Sequence, residues 1–368
     1  MDLSQYQSDL HTQKHSVLKK YSLENFYLLL LDDVYSDNPN TFYNKSKILE
    51  HIEYAESAGY KTFVYSVNLD PVYPDRVAEL QNITDQASCK LNFKLLCGSV
   101  NVAEEYEKFF NQGDFKFKFD VLNLRMLEDI IQEIHASDMS FYDNSPAVRH
   151  CDKYFISLNR TLKYHRLFLL CELYEQGLLD KSFTSFGVLA EHFVDKHNVH
   201  PEISNMSLFE KYQKTFNNLS DILPLIADFN AAEQHPGICI NESELDMAKQ
   251  SYFTVVTETV FFDNNIDNTW GLFISEKTFK PILSLHPFVL LAKPFTLAKL
   301  REYGYKTFYP WINEEYDTIT DDEQRLKCVF SEISRLCNLS HKEWRAIQQE
   351  MSDVVNHNFN HIKTVWKR

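Results

Sequence analysis

Apolar residues in this chain fall into short solid blocks, separated by polar stretches in which they recur every third or fourth position. Phe26–Leu31 is wholly apolar and bounded by Asp32-Asp33, which predicts a strand buried on both faces. Thr41–Ala58 carries Phe42, Ile48, Leu49, Ile52 and Ala55 on one helical face, with Gly59 as its stop. Further strands are predicted at Lys61–Val67, at Leu91–Leu96 with Cys97-Gly98 as its turn, and at Phe115–Val121. Helices are predicted from Pro74 to Leu80, Val102 to Phe110 and Arg125 to His135. Strands alternating with helices imply βαβ units and a mostly parallel sheet.

Asp143–Arg149 has turn residues and no periodicity, so it reads as a linker, and a second series begins after it. Tyr154–Leu158 is a strand ended by Asn159-Arg160. Thr161 can cap a helix with Leu162, Phe168, Leu169, Leu173 and Tyr174 on its apolar face, stopped by Gly177. Ser182–Phe186 is a short strand, and Leu189–Asn241 gives no clear period. From Ser251 to Phe308 the order is strand, acidic turn at Thr257-Glu258-Thr259, helix opened by Ser275, strand at Pro287–Ala292, helix at Thr296–Tyr303, and a last strand at Lys306-Thr307-Phe308. An acidic loop, Trp311–Asp322, precedes amphipathic helices at Gln324–Leu336 and His341–His357. The expectation is an α/β chain with two Rossmann-like domains, at 1–148 and 149–340, and a C-terminal helix, 341–368, crossing back to the first.

Composition supports this and narrows the chemistry. At 368 residues the chain exceeds the roughly 100–200 of one domain. With only 8 glycines, a glycine-rich phosphate loop is not its main nucleotide device. A formal charge of −15 argues against nucleic acid binding over the whole surface, since phosphate neutralisation needs clustered Lys and Arg. The seven cysteines form no CxxC pair, which predicts buried free thiols in a reducing compartment. Met1–Lys20 lacks the apolar core of a signal peptide, and no apolar run approaches the ~18 residues of a membrane span. A soluble, cytoplasmic protein is expected.

Ligands of doubly wound sheets bind beyond the carboxyl ends of the strands. Arg160 stands at such an end, Arg166 follows in the next helix, and Lys277 lies in the first turn of another helix. A diphosphate among them would meet fixed positive charge and the unpaired N–H groups of a helix start, with no metal required. Glu276 either accepts ribose hydroxyls or simply favours the helix dipole. Glu258 and Lys280 are further candidates, and Lys280 before Pro281 also reads as structural. Asp263-Asn-Asn-Ile-Asp267 lacks the Gly and Glu of a calcium loop, and the histidines show no zinc spacing, so no metal is expected.

Glu276-Lys277-Thr278-Phe279, with the earlier Phe155-Ile-Ser-Leu-Asn159-Arg160, His165-Arg166 and Ser185-Phe186-Gly187, resembles the donor domain of fucosyltransferase-like enzymes of the two-Rossmann GT-B fold. The wider pattern, through Gly304-Tyr-Lys-Thr-Phe308, is similar to uncharacterised glycosyltransferase-like proteins of viruses and phages. The likeness covers Tyr154–Asp317. It implies that Arg166 and Lys277 hold the donor phosphates, that Glu276 holds the ribose, and that the first domain binds the acceptor. Asn159 falls within the same segment. Arg160 and His165 are additional basic groups, and Pro287 stands where such enzymes place small residues, so fucose is not implied. A nucleoside-diphosphate sugar would be the co-substrate, with no cofactor. The acceptor would be a hydroxyl of a glycan, a metabolite, a protein or a modified DNA base, the last needing a basic cleft near Lys116 and Lys118. An inverting transferase needs a general base, for which Asp33 or Asp32 at the end of the first strand is placed, with Asp70 behind them. The alternative is a nucleotide or nucleotide-sugar sensor without turnover.

Overall fold

The computed structural model describes residues 23, 25–36, 41–66, 74–98, 106, 110, 118–123, 151–159, 161–189, 199–227, 240, 242–262 and 271–365. The chain divides into two compact units, Met1–Met126 with Asn268–Phe273, and Leu127–Asp267 with Ile274–Arg368. The expected linker at 143–149 and the expected helix at 125–135 lie outside the described residues, as do the last residues of the C-terminal segment.

The first unit holds strands β1 (Phe26–Leu30), β2 (Thr62–Ser66), β3 (Asn92–Cys97) and β4 (Asp120–Asn123), with helices α1 (Lys45–Ser57) and α2 (Pro74–Thr84). All pairs are parallel and the sheet order is β1-β2-β3-β4. The solid apolar blocks are central: Tyr27, Leu28 and Leu29 are fully buried, as are Phe63, Val64 and Tyr65. Helix α1 starts where the Asn44 side chain accepts from the Lys47 N–H at 3.2 Å, and buries Ile48, Ile52 and Ala55. It ends at Gly59, whose φ of +81° is the left-handed conformation that glycine tolerates best. Strand β4 begins five residues later than its apolar run suggests, at Asp120.

The second unit holds β5 (Phe155–Asn159), α3 (Tyr164–Glu175), β6 (Ser182–Phe186), α4 (Pro201–Ser204), α5 (Ser207–Lys211), α6 (Gln213–Ser220), α7 (Glu242–Lys249) and β7 (Phe253–Thr257). It continues with α8 (Glu276–Leu283), β8 (Phe288–Leu291), α9 (Thr296–Glu302), α10 (Asp322–Cys337) and α11 (His341–Thr364). Its strands are also parallel, but their order is β6-β5-β7-β8. The chain moves from β5 to one side, then returns and continues on the other. That reversal lies between β5 and β7.

Helix α11 opens on a capping box between Ser340 and Glu343. It buries Trp344, whose indole stacks on Tyr252 (5.1 Å between centroids) and Phe253 (5.4 Å) and donates to the Leu336 carbonyl at 2.9 Å. Trp344 thereby seats the first turns of α11 on the base of β7.

Two local expectations are corrected. Helix α3 is not capped by Thr161: it starts at Tyr164, and its N-cap Lys163 makes no side-chain cap bond. Lys306–Phe308 forms no strand. The Asn358 side chain on α11 instead takes both the N–H and the C=O of Lys306, at 2.8 Å each, so the backbone there is satisfied without a ladder.

Candidate functional site

The carboxyl ends of β5 and β7 flank the reversal, and the residues that follow them converge there. Strand β5 ends at Asn159, whose Nδ2 donates to Ser157 Oγ at 3.0 Å and whose Oδ1 accepts from the Thr257 hydroxyl at the end of β7. Asn159 is buried, so its amide ties the two strand ends together and is not presented to solvent.

Immediately after β7, Glu258 is fully buried. Its carboxylate accepts from Ser275 N–H (3.0 Å), Ser275 Oγ (2.7 Å), Thr278 Oγ1 (2.5 Å) and Thr259 N–H (3.3 Å). Its carbonyl oxygen takes His165 Nε2 at 3.0 Å and Arg166 Nη2 at 3.3 Å. Glu258 therefore fastens the start of α8 to the end of β7 through its side chain, and the start of α3 to the same point through its backbone.

Arg166 is 4% exposed. Besides Glu258, its guanidinium donates to the carbonyls of Thr257 (3.2 Å) and Thr161 (2.9 Å). The side chain expected to grip phosphate directly is thus turned onto the backbone of the strand end. His165 beneath it is wholly buried, with its ring 5.3 Å from and nearly parallel to that of Phe261. Burial, reinforced by the neighbouring Arg166 and Lys163 charges, holds its pKa well below the ordinary histidine range, so the ring is neutral. With Nε2–H donated to Glu258, Nδ1 is the lone-pair nitrogen and has no partner among the described residues.

Helix α8 presents Glu276 and Lys277. Ser275 is its N-cap, as its position in the sequence predicts, accepting from the Lys277 N–H at 3.3 Å. The start of α8 does not, however, offer a set of unpaired N–H groups. That of Ser275 goes to Glu258, that of Lys277 to Ser275 Oγ, and that of Thr278 to the Ser275 carbonyl at 3.2 Å. A carboxylate of the protein already occupies the anion seat of this helix.

The side chains remain outside that closed start. Lys277 Nζ lies 2.8 Å from Glu276 Oε1, 3.2 Å from Ser275 Oγ and 3.5 Å from Thr259 Oγ1. Both members of the pair are about one-third exposed. Burial pushes the Glu276 carboxyl up, but the Lys277 charge and hydrogen bond outweigh it, and the carboxyl titrates below its ordinary value. The result is an ionised carboxylate and an ammonium, side by side, just past β7.

The remaining candidates separate. Lys280 is paired with Glu244 of α7 at 2.6 Å, both well covered, and braces α8 against α7. Arg160 and the side chain of Asp32 lie outside the described residues, as do Asp70, Lys116 and Asp263–Asp267. Asp33 is exposed, on a 3-10 turn, Leu31–Val34, that follows β1 in the first unit. Among the described residues no group of three His, Cys, Asp or Glu side chains could hold a metal ion, and no helix is long and apolar enough to cross a membrane.

A cavity of about 670 Å³ opens among α3, α5 and α10, lined by Glu172, Lys211, Lys327, Phe330, Arg335 and neighbours, and shares no residue with the cluster above. Its cations are paired with carboxylates: Lys211 with Glu172 (2.6 Å), Lys327 with Glu323 (2.7 Å) and Arg335 with Glu332 (2.6 Å).

Sequence reasoning located the Ser275 cap and put Glu276 and Lys277 in the first turn of the helix that it opens. It missed the bracing role of Glu258, although the hydroxyls at Ser275 and Thr278 were a signal: two donors one turn apart at a helix start suit a buried carboxylate.

No family model and no curated protein matches the chain. Among solved structures it is similar to an alpha,alpha-trehalose-phosphate synthase (UDP-forming) from Burkholderia xenovorans in complex with glucose-6-phosphate. The identity is 9%, the TM-score 0.35, and the match covers 86% of this chain and 69% of that one. A likeness of that degree carries no argument about what this chain does.

Proposed function

We propose that the chain is a glycosyltransferase whose second unit binds a nucleoside-diphosphate sugar at the sheet reversal, and that the sugar passes to a hydroxyl acceptor. The observation that carries this reading is the half-buried Glu276–Lys277 pair, fixed beyond the carboxyl end of β7 where the strand order reverses. Crevices at such reversals are where open α/β sheets take nucleotides. The ionised Glu276 carboxylate is suited to accept the two ribose hydroxyls, and Lys277 Nζ to neutralise the diphosphate. In the transfer step the bond from the sugar's anomeric carbon to the diphosphate breaks as the acceptor oxygen attacks. The charge left on the diphosphate falls on the Lys277 ammonium, which takes the part a metal plays elsewhere. Arg166, Asn159 and Glu258 act in this reading as braces that fix the pair. The acceptor hydroxyl's proton would leave to a general base, the role for which Asp33 is the candidate.

The turning of the Arg166 guanidinium onto three backbone carbonyls favours a second reading: a nucleotide-binding protein without turnover. Incubation with UDP-, GDP- and CMP-sugars separates the two. Transfer predicts both thermal stabilisation and release of the free nucleotide, whereas a sensor gives stabilisation alone. If no donor stabilises the protein, both readings fail.

A further inference from the structure

Glu276 and Lys277 are neighbours in sequence, and a helix does not bring neighbours together. Successive side chains leave an α-helix about 100° apart, so only residues three or four positions apart meet on its surface. Yet Lys277 Nζ lies 2.8 Å from Glu276 Oε1 in the first turn of α8. A group outside the helical repeat must draw the ammonium back toward the helix start. Two hydroxyls stand there, Ser275 Oγ at 3.2 Å from Nζ and Thr259 Oγ1 at 3.5 Å.

The two hydroxyls are not equally directed. That of Ser275 has one hydrogen, which it donates to the Glu258 carboxylate at 2.7 Å. The lone pairs of Ser275 Oγ therefore turn away from Glu258, and Lys277 supplies both of the donors they meet, its backbone N–H at 3.3 Å and its ammonium at 3.2 Å. Ser275 is 1% exposed and Glu258 is fully buried, so water does not compete for that hydrogen. Glu258 is itself fixed, by Ser275 N–H at 3.0 Å and Thr278 Oγ1 at 2.5 Å. Thr259 is the looser contact: its distance to Nζ is beyond the usual hydrogen-bond range, and the residue is partly exposed.

We propose that Ser275 is a positioning residue: its hydroxyl, aimed by Glu258, holds the Lys277 ammonium against Glu276 in the arrangement that receives a nucleoside diphosphate. The receiving of a diphosphate rests on the donor-site reading above, but the positioning does not. Capping alone does not require this contact, since a cap uses the backbone N–H of Lys277 and not its ammonium. The three hydrogens of the ammonium face Glu276, Ser275 and Thr259. A phosphate oxygen displaces the longest of these contacts, that to Thr259, while Ser275 and Glu276 keep Nζ in place.

The test separates capping from positioning. Ser275→Ala and Ser275→Gly lose the same hydroxyl but differ as caps, Ala costing about 1 kcal/mol and Gly only a few tenths. The readout is carbon-13 NMR of the glutamate carboxyls in the full chain between about pH 3 and 6, with the Glu276 signal identified by its loss in Glu276→Gln. In the wild type the Lys277 charge and hydrogen bond hold that carboxyl below its ordinary value. Ser275→Ala and Ser275→Gly should raise its titration equally, whatever their melting temperatures, because Lys277 is released in both. Ser275→Thr, which keeps the hydroxyl, and Thr259→Val should titrate as the wild type. The proposal is overturned if the Ala and Gly variants titrate as the wild type, if the rise follows their loss of stability, or if Thr259→Val raises the titration as much. Should the Ala and Gly variants fail to fold, a raised titration in Ser275→Thr or Thr259→Val overturns it, and wild-type titration in both supports it. Calorimetry with UDP and GDP is the second readout: Ser275→Gly should bind about fivefold more weakly, the worth of one ordinary hydrogen bond. If neither nucleotide binds the wild type, the donor reading fails, and the Glu276 titration still decides the role of Ser275.

Discussion

Among the described residues the two units are each built on four parallel strands, and the order of those strands differs in one connection. In the first, strand order follows the chain, so each crossover steps in the same direction and, among the described strands, adjacent loops do not part. In the second, β6 lies on one side of β5 and β7 on the other. In open α/β sheets the loops on either side of such a reversal leave in opposite directions, and that is where crevices form. The side chains follow this difference. At the reversal, Asn159, Arg166, His165 and Glu258 are all buried and bonded to the strand ends. In the first unit the equivalent rim carries half-exposed aromatic and charged groups. The β5–β7 register pairs Phe155 with Phe253 and Ile156 with Thr254, and at the carboxyl ends the Thr257 hydroxyl and the Asn159 side chain tie the two strands.

The largest effect that would break this comparison comes from Arg166. Replacing it with Ala leaves the carbonyls of Thr161, Thr257 and Glu258 without their charged donor, and should cost about 3 kcal/mol in urea unfolding followed by tryptophan fluorescence. The counterpart in the first unit, Arg76→Ala, loses a partly buried guanidinium packed on the Phe42 ring and should cost less, about 1 kcal/mol. Equal costs would mean that the reversal is not braced as described.

Next in size is a pH effect. Burial holds His165 neutral, with its pKa well below the usual 6.5. Between the folded and the unfolded pKa the unfolded chain binds the extra proton, so stability rises with pH in that window. Its contribution is complete above about pH 6.5 and is lost as pH falls toward the folded pKa, with a limiting slope of about 1.4 kcal/mol per pH unit. His165→Gln, which still donates to the Glu258 carbonyl but cannot titrate, should flatten that slope. A histidine of the first unit, His51, is also lowered by burial, but Glu50 and Asp33 push it back up, so His51→Gln should flatten the slope less. Denaturation midpoints from pH 5 to 7.5 decide it, and the reverse ranking would contradict the assignment.

Much of the fold was legible because it depends on local pattern. Solid apolar blocks marked β1, β2, β5, β7 and β8, and Gly59 and Gly177 marked helix ends through their positive φ. Ser275 was a readable cap. What escaped depended on distance in the folded chain. Nothing in Lys306-Thr307-Phe308 shows that Asn358, some fifty residues on, satisfies its backbone. Nothing near Arg166 shows that Thr257 and Glu258, some ninety residues away, turn carbonyls toward it. Basic residues at a strand end look alike in sequence whether they face a ligand or the backbone.

The smallest stability effect should come from the pair at the centre of the account. Lys277→Ala and Glu276→Gln remove a partly exposed ion pair and should shift unfolding by under about 1 kcal/mol. Their effect belongs to binding. Calorimetric titration of UDP and GDP into the wild type and these two variants is therefore the most direct measurement. The account predicts that one nucleotide binds the wild type and binds Lys277→Ala at least tenfold more weakly, for loss of a charge-assisted contact. If neither nucleotide binds the wild type, or the variant binds with unchanged affinity, the Glu276–Lys277 pair at the reversal is not a nucleotide site.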